Sequence, residues 1–497
     1  MARAYAEMIQ GTWGVMACAL WLGACACGAG QLTLVPQPRA LVEKTGVSAT
    51  DRVAYVEDAT LPKEGYALDV SVDGAQVRYA DAAGRYYADV TLRQLRGKDG
   101  RLPCCSIVDS PRYAWRGALV DVSRHFVSLA KMKEIVDWMA YFKLNVLHWH
   151  LTDSQGWRIE SELYPALNKA GATRPRPDYC KWNVDYEVGA TPVEFYTKAQ
   201  IRELVRYAAE RHVNIMPEID FPGHSRAFNF AYPDLYCLGK RAFLHKIMWD
   251  DTHRHTEVVC LGNDTTVEMC ENLVREAADL FPFGVIHLGG DECVTNTWGE
   301  CAKCQARIRT ENLKDEHELQ TWFFHRLQKV AAEKGKRVMG WDEILKPGLS
   351  ADAIVQNWHA PKGGERAAAA GHDVIQSPNR ETYLDYDQGL PDDPSTYPGF
   401  AVGAYVKLET VFRFDPVRDM DEGNARRVMG AEACNWTNCT PTEDELMWKM
   451  WPRQAAFAEA VWTAAATRDY ADFVRRLRPH WSLMRASGLN AAPVPAN

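Results

Sequence analysis

From Arg112 onward the chain repeats one pattern: a short apolar run of strand length, then a longer stretch whose apolar residues recur every three or four positions. The runs at 118–122, 146–151, 214–219, 285–289, 337–340, 353–356, 373–376 and 428–431 predict eight strands. Stretches such as 128–142 and 198–212 predict amphipathic helices between them. Eight such units are what a closed (β/α)8 barrel requires, although a doubly wound open sheet alternates in the same way. Upstream, residues 31–112 alternate apolar and polar positions in short runs broken by Gly and Asp. There 66–72 and 75–79 predict paired strands about a turn at Asp73-Gly74, and 89–96 predicts a helical segment. The predicted fold class is therefore α/β: a (β/α)8 TIM barrel over 113–487, preceded by a small α+β domain over 31–112. A leader at 1–30 and a tail at 488–497 complete the chain.

The residues at the end of each run favour the barrel, because in that fold reactive groups gather just past the C-terminal ends of the strands. The first run leads into Asp121 and Arg124-His125, the second into His148-Trp149-His150-Leu151-Thr152-Asp153, and the third into Glu218-Ile219-Asp220 and His224. The fourth ends in Gly289-Gly290-Asp291-Glu292, the fifth in Trp341-Asp342-Glu343, and the sixth in Asn357-Trp358. The seventh leads towards Tyr383-Leu384-Asp385, and the eighth ends in Glu432 and Trp436. Polar and aromatic residues at one end of every strand are hard to explain by packing alone. Asp291-Glu292 carries the most weight, since adjacent carboxylates crowded at the end of an apolar strand favour a proton on one of them, as a general acid needs.

Taken in order, HWHLTDSQGWRIE, MPEIDFPGH, IHLGGDE, MGWDEI, QNW and YLDY resemble the motif series of glycoside hydrolase family 20, the β-N-acetylhexosaminidases. The likeness runs from about Arg116 to Trp451-Pro452-Arg453, Glu459 and Trp462. Upstream, Leu34-Val35-Pro36-Gln37-Pro38 and Thr91-Leu92-Arg93-Gln94-Leu95 resemble the opening and closing of that family's N-terminal domain. The resemblance implies an exo-acting, retaining enzyme that removes terminal non-reducing N-acetylglucosamine or N-acetylgalactosamine, using the substrate's acetamido group as nucleophile through an oxazolinium. This family is an exception to the two-carboxylate scheme of most retaining glycosidases. In it Glu292 would protonate the departing glycosidic oxygen and later activate water, and Asp291 would hold the acetamido N–H. Tyr383 would donate to the attacking amide oxygen, and Trp341, Trp358 and Trp436 would wall the acetamido pocket. Arg116 would grip ring hydroxyls, Asp385 belongs with the substrate-binding residues, and Asp153 and His224 would form a relay to Glu292.

The scheme needs no cofactor and no metal. His148, His150 and His287 are read as core histidines, Trp149 and Trp157 as barrel structure, and Glu218, Asp220, Asp342 and Glu343 as support. One position departs from the family pattern: relatives carry Glu two residues after the last tryptophan, and here Trp436-Thr437-Asn438 supplies an amide. Two other functions stay open. One is a same-family enzyme releasing a disaccharide such as lacto-N-biose. The other is a non-catalytic sugar-binding lipoprotein, whose mark would be loss of the acid or its helper; Asp291, Glu292 and Tyr383 are all present.

Composition refines this picture in three places. The net charge of −8 lacks the basic excess of a general nucleic-acid binder, and the partner that the resemblance implies is a glycan or glycoconjugate. Residues 14–30 are apolar, small and too short to span a bilayer comfortably, which reads as an export signal. Leu22-Gly23-Ala24-Cys25 resembles the bacterial lipobox, making Cys25 a candidate lipidation site; a plain signal cleaved near Ala29 is the alternative. Either way an exported protein is expected, periplasmic or at the cell surface, touching membrane only through the lipid. Past this segment come eleven cysteines, an odd number, some of which are expected to pair. Cys301-Ala302-Lys303-Cys304 has metal-ligand spacing, but no second such pair lies nearby, and a disulfide or plain packing is the expectation.

Overall fold

The computed structural model describes residues 32–97, 99–173, 192–242, 257–390, 393–397 and 404–495. The expected leader with Cys25, and Cys180, lie outside these residues. The chain begins with strands β1 (Ala40–Val47), β2 (Val53–Glu57), β3 (Tyr66–Ser71), β4 (Gly74–Tyr79) and β5 (Pro103–Asp109), ordered β1-β5-β3-β4-β2 in one sheet. The helix Ala82–Leu95 lays Tyr87, Ala88, Val90, Leu92 and Leu95 into its buried side. It starts seven residues before the predicted segment. Asp81 caps it by accepting from Gly84 N–H, and Gly84, which weakens the helical pattern in the sequence, is there for contact. A Cβ on Gly84 would lie 2.4 Å from the carbonyl oxygen of Gly65.

Eight parallel strands then close a barrel: β6 (Trp115–Asp121), β7 (Val146–Asp153), β9 (Asn214–Ile219), β10 (Val285–His287), β11 (Arg337–Trp341), β12 (Ile354–Asn357), β13 (Asp373–Gln376) and β14 (Val428–Asn435). Closure comes from β14 pairing with β6, Glu432 opposite Gly117 and Asn435 opposite Val120. A two-residue strand, β8 (Gly156–Trp157), folds back on the end of β7. The helices Leu129–Tyr141 and Lys198–Ala209 lie where the sequence predicts them, the latter opened by a Thr197/Gln200 capping box. The fourth strand is shorter than predicted. The chain leaves the ladder after His287 because Gly289 and Gly290 take positive φ values of 66° and 96°.

The barrel interior is layered. Its floor is apolar, with Trp115, Val146, Met216, Val285, Met339, Ile354 and Ile375 contributed by seven of the strands. Above the floor lies a fully buried polar layer built on His148, Glu218, His287, Gln356 and Glu432, and above that the aromatics Trp341, Tyr383 and Trp436. The small domain docks at the N-terminal ends of β6 and β7. Arg116 reaches Glu64, Lys143 reaches Asp109, and the rings of Tyr87 and Trp462 meet edge-on at 5.3 Å. No described helix is long and apolar enough to cross a membrane.

Candidate active site

The strand ends carry the chemistry, and the turn after β10 shows why its sequence is Gly-Gly-Asp-Glu. A Cβ on Gly289 would lie 1.7 Å from Asp220 Oδ1, and one on Gly290 would lie 2.5 Å from the side chain of Ile344. Only glycines let the chain pass between them while taking left-handed conformations. Glu292 (φ 43°) and His224 (φ 42°) are themselves left-handed, a strain of about 1 kcal/mol or more per residue that the surrounding loops must hold. The turn separates the two neighbouring acids. Glu292 is half-exposed, whereas the Asp291 side chain is 15% exposed and its Oδ1 is buried with no hydrogen-bond partner among the described residues.

His224 connects these acids to Asp153. Its Nδ1 lies 3.4 Å from Asp153 Oδ1, and its Nε2 lies 3.3 Å from Asp291 Oδ2 and 3.5 Å from Glu292 Oε2. Burial disfavours a proton on His224, but Asp153 and Asp291 outweigh it and hold the imidazole protonated well above its ordinary range. Burial likewise pushes Asp153 up, yet Arg124 and His224 hold it ionised well below the usual carboxylate range. Asp153 also meets His150 Nε2 at 3.0 Å and Arg124 Nη2 at 2.5 Å. Two further acids go the other way. Burial and the charge of Asp291 raise Asp220 strongly and lift Glu343 to about 8.

An aromatic pocket faces these acids. Trp341 and Trp436 have ring centroids 5.8 Å apart, Tyr383 lies 6.0 Å from Trp436, and Trp358 stacks on Tyr383 at 6.3 Å. Trp341 is fixed from below by donating to Glu218 at 2.9 Å, and Trp358 from the side by donating to Glu343 at 3.1 Å. Burial lifts the Tyr383 hydroxyl well above its ordinary range, so it stays a donor. Asp385 is buried, its Oδ1 without a partner among the described residues, and burial raises it to about 7 despite Lys449 and Arg453. Asn438 Oδ1 is likewise buried without a partner among the described residues.

Ten of the eleven residues expected to act on substrate are thus at the C-terminal end of the barrel, and Arg116 is not. It sits at the N-terminal end of β6, fully buried. Its guanidinium donates to the carbonyls of Lys143 and Tyr113, to Glu64 at 2.7 Å and to the hydroxyl of Tyr87 at 2.9 Å. It fastens the small domain to the barrel and cannot reach a sugar. A cation that does stand at the mouth is Arg124, three residues past β6. Its guanidinium lies 5.0 Å from the centre of the Trp436 ring and pairs with Asp121 and Asp153. Its place after a strand end, against that of Arg116 before one, is the feature in the sequence that distinguishes them.

The supporting residues fall as expected. Trp149 and Trp157 are core, and His148, His150 and His287 each face a carboxylate. Asp220, His224 and Asp291 lie within 4.8 Å of one another: His224 pairs with Asp291, and burial together with the charge of Asp291 keeps a proton on Asp220. Some of the cysteines are expected to pair and at least one to stay free. Nine described cysteines are free thiols, and among the described residues only Cys439 is in a disulfide.

Residues 113–465 match the family model described as glycosyl hydrolase family 20, catalytic domain, and residues 31–110 match glycosyl hydrolase family 20, domain 2. A β-hexosaminidase of Porphyromonas gingivalis is 39% identical over 453 residues, spanning 88% of this chain and 56% of that protein. A β-hexosaminidase of Akkermansia muciniphila is 32% identical over 462 residues, 90% of each chain. Among solved structures, the exo β-N-acetylglucosaminidase of Vibrio harveyi in complex with N-acetylglucosamine superposes with a TM-score of 0.84 at 27% identity, covering 94% of this chain and 79% of that one.

Proposed function

Because the chain belongs to glycosyl hydrolase family 20, we propose that it is an exo-acting β-N-acetylhexosaminidase that hydrolyses terminal N-acetylglucosamine or N-acetylgalactosamine with retention, the substrate's acetamido group serving as nucleophile. The observation that carries this reading is the buried, unpartnered Oδ1 of Asp291 at the aromatic pocket. A buried acceptor without a donor is costly, and an acetamido N–H is a donor of the right kind to meet it. Glu292 gives its proton to the departing glycosidic oxygen while the amide oxygen attacks the anomeric carbon. Asp291 takes the amide N–H and offsets the positive charge of the oxazolinium, and Tyr383 donates its hydroxyl to the amide oxygen. Trp341, Trp358 and Trp436 exclude water from the methyl side and hold the amide in attacking position. The Glu292 carboxylate then removes a proton from the water that opens the ring at the same carbon. Asp153 and protonated His224 keep Glu292 and Asp291 oriented through this exchange.

The N-acetylglucosamine bound to the Vibrio harveyi neighbour supports the gluco substrate. A chromogenic panel tests the whole reading: N-acetylglucosaminide and N-acetylgalactosaminide should turn over, a glucoside lacking the acetamido group should be inert, and a thiazoline mimic of the cyclic intermediate should inhibit strongly. Turnover of the plain glucoside, or trapping of a glycosyl group on a carboxylate, would overturn the mechanism; cleavage of a lacto-N-biosyl substrate alone would move the activity to disaccharide release. We also propose that Cys25 carries a lipid anchor, on the strength of the Leu22–Cys25 sequence. Cys25→Ser should then leave the membrane fraction, since acylation needs the thiol. Wild-type protein found unlipidated would refute it.

A further inference from the structure

Beside the active site, three separate pieces of chain bring four cysteines together. Cys237 comes after the turn Pro233–Leu235 beyond β9, Cys260 comes 23 residues later, and Cys301 and Cys304 straddle the start of the helix Ala302–Thr310. Their sulfurs all lie within 4.8 Å of one another. Cys237 to Cys304, Cys260 to Cys301 and Cys260 to Cys304 are each 3.8 Å. We propose that these four thiols form a closed tetrathiolate zinc site.

The geometry carries the proposal. Zinc binds thiolate at about 2.3 Å in a tetrahedron, whose edge is then about 3.8 Å, the spacing seen here. Disulfides would need sulfurs in pairs at about 2.05 Å. Here Cys260 is equally far from Cys301 and Cys304, and Cys304 equally far from Cys237 and Cys260, so the four do not sort into two couples. All four are free in a structure that holds Cys439 in a disulfide.

The surroundings suit thiolates. Cys260, Cys301 and Cys304 are at most 1% exposed, which keeps water and competing ligands out. Cys301 is the N-cap residue of a nine-residue helix, where the dipole favours negative charge, and Gly262 N–H donates to Cys304 Sγ at 3.3 Å. Gly262 can come that close only because it lacks a side chain: a Cβ there would lie 2.1 Å from the backbone of Lys303. Soft sulfur ligands select zinc over hard cations, and four protein ligands leave no open position, so the site is structural rather than catalytic. The ligands fall outside a simple sequence pattern because two of them precede the Cys-X-X-Cys pair by 41 and 64 residues.

The metal would clamp the two loops that carry the proton chemistry. Residues 257–259 are hydrogen-bonded to the loop of His224, through Ser225 N to Glu257 O at 2.7 Å and Val259 N to Pro222 O at 3.0 Å. Cys301 ends the segment that begins at Glu292, and within it Trp298 Nε1 donates to Val259 O at 2.9 Å. The zinc therefore ties the His224 loop to the Glu292 loop from behind.

Elemental analysis of the full-length protein, purified without chelators, tests this directly. One zinc per chain is expected. Exchange into cobalt should give the intense visible bands and sulfur-to-metal charge transfer of a tetrahedral tetrathiolate. Cys301→Ser and Cys304→Ser should each lower bound zinc at least tenfold, while Cys105→Ala, in the small domain, should keep it. Wild-type protein without zinc would overturn the proposal, whether its four cysteines react as free thiols or map as two disulfides. So would a cobalt spectrum lacking sulfur charge transfer.

Discussion

Replacing Arg116 with methionine separates a domain clamp from a sugar-binding residue. The substitution keeps most of the aliphatic volume and removes the guanidinium. It leaves Glu64, whose side chain is only 12% exposed, without its cation, and strips the Lys143 and Tyr113 carbonyls and the Tyr87 hydroxyl of a donor. Breaking a buried pair by removing one partner costs about 3–5 kcal/mol. Unfolding entropy near the midpoint is about 2.1 cal/mol/K per residue, or about 1 kcal/mol/K over a unit running from Thr33 to Asn497, so the melting temperature should fall by about 3–5 °C. Kinetics on an N-acetylglucosaminide should be unchanged within about twofold, because the nearest part of the site lies at the other end of β6. Arg124→Gln should differ in kinetics: KM rises at least tenfold, since its guanidinium pairs with Asp153 and covers Trp436 at the mouth, and stability falls as well, because Asp121 and Asp153 are buried carboxylates left without their cation. Differential scanning fluorimetry and steady-state kinetics on both variants decide the matter. A raised KM for Arg116→Met with an unshifted melting temperature would refute the assignment.

Glu292→Gln should slow substrates with poor leaving groups by several orders of magnitude and activated aryl glycosides far less, since only the former need the proton; equal losses would remove Glu292 from the acid role. Asn438→Glu should widen the ratio of activities on the gluco and galacto substrates. A carboxylate accepts charge-assisted bonds about twice as strong as those of the amide whose Oδ1 is now unpartnered; an unchanged ratio would mean that position 438 does not touch the sugar. Thermal stability should fall as pH rises from 7 to 10. Burial opposes protonation of His148 and His150, but Glu432 and Glu218 for the one, and Glu218 and Asp153 for the other, raise them to about 9 and about 10 from 6.5. Their stabilisation is complete below 6.5 and is lost through 9 and 10, on the order of 3 kcal/mol for His148 alone. A melting temperature flat across that range would show that these imidazoles are neutral.

The barrel is legible in the sequence because its strands are apolar runs punctuated by polar clusters, and all eight lie where the runs predict them. Local signals fail where contact overrides propensity. Gly84 hides the first turn of a helix because it packs on Gly65, and Gly289 cuts the fourth strand short because Asp220 occupies the space a side chain would need. Asp291 and Glu292 can be placed from their neighbours in the chain. The environment that sets their protonation cannot, since His224, Asp153 and Glu343 reach them from other strands. Arg116 is misplaced because the resemblance, not its position, assigns it to the sugar: it precedes the predicted strand at 118–122, at the end of the barrel away from the reactive groups. The Cys301–Cys304 pair has no second such pair near it in the chain, and only the fold supplies one.

Glu218 has a consequence for how this barrel tolerates change. Trp341 Nε1 donates to it at 2.9 Å, His287 Nδ1 lies 2.8 Å away, His148 Nε2 lies 3.1 Å away, and His150 Nδ1 completes the set. One carboxylate thus serves four partners from three other strands. Losing a single donor leaves the acid with three; losing the acid takes the carboxylate from Trp341 and His287 at once and leaves His148 with Glu432 alone and His150 with Asp153 alone. Substitutions here are accordingly asymmetric and coupled: each histidine becomes dispensable only in the presence of the others, and the carboxylate never does. Lineages can exchange the donors one at a time, but an altered residue at 218 requires a simultaneous rewriting of the strands around it.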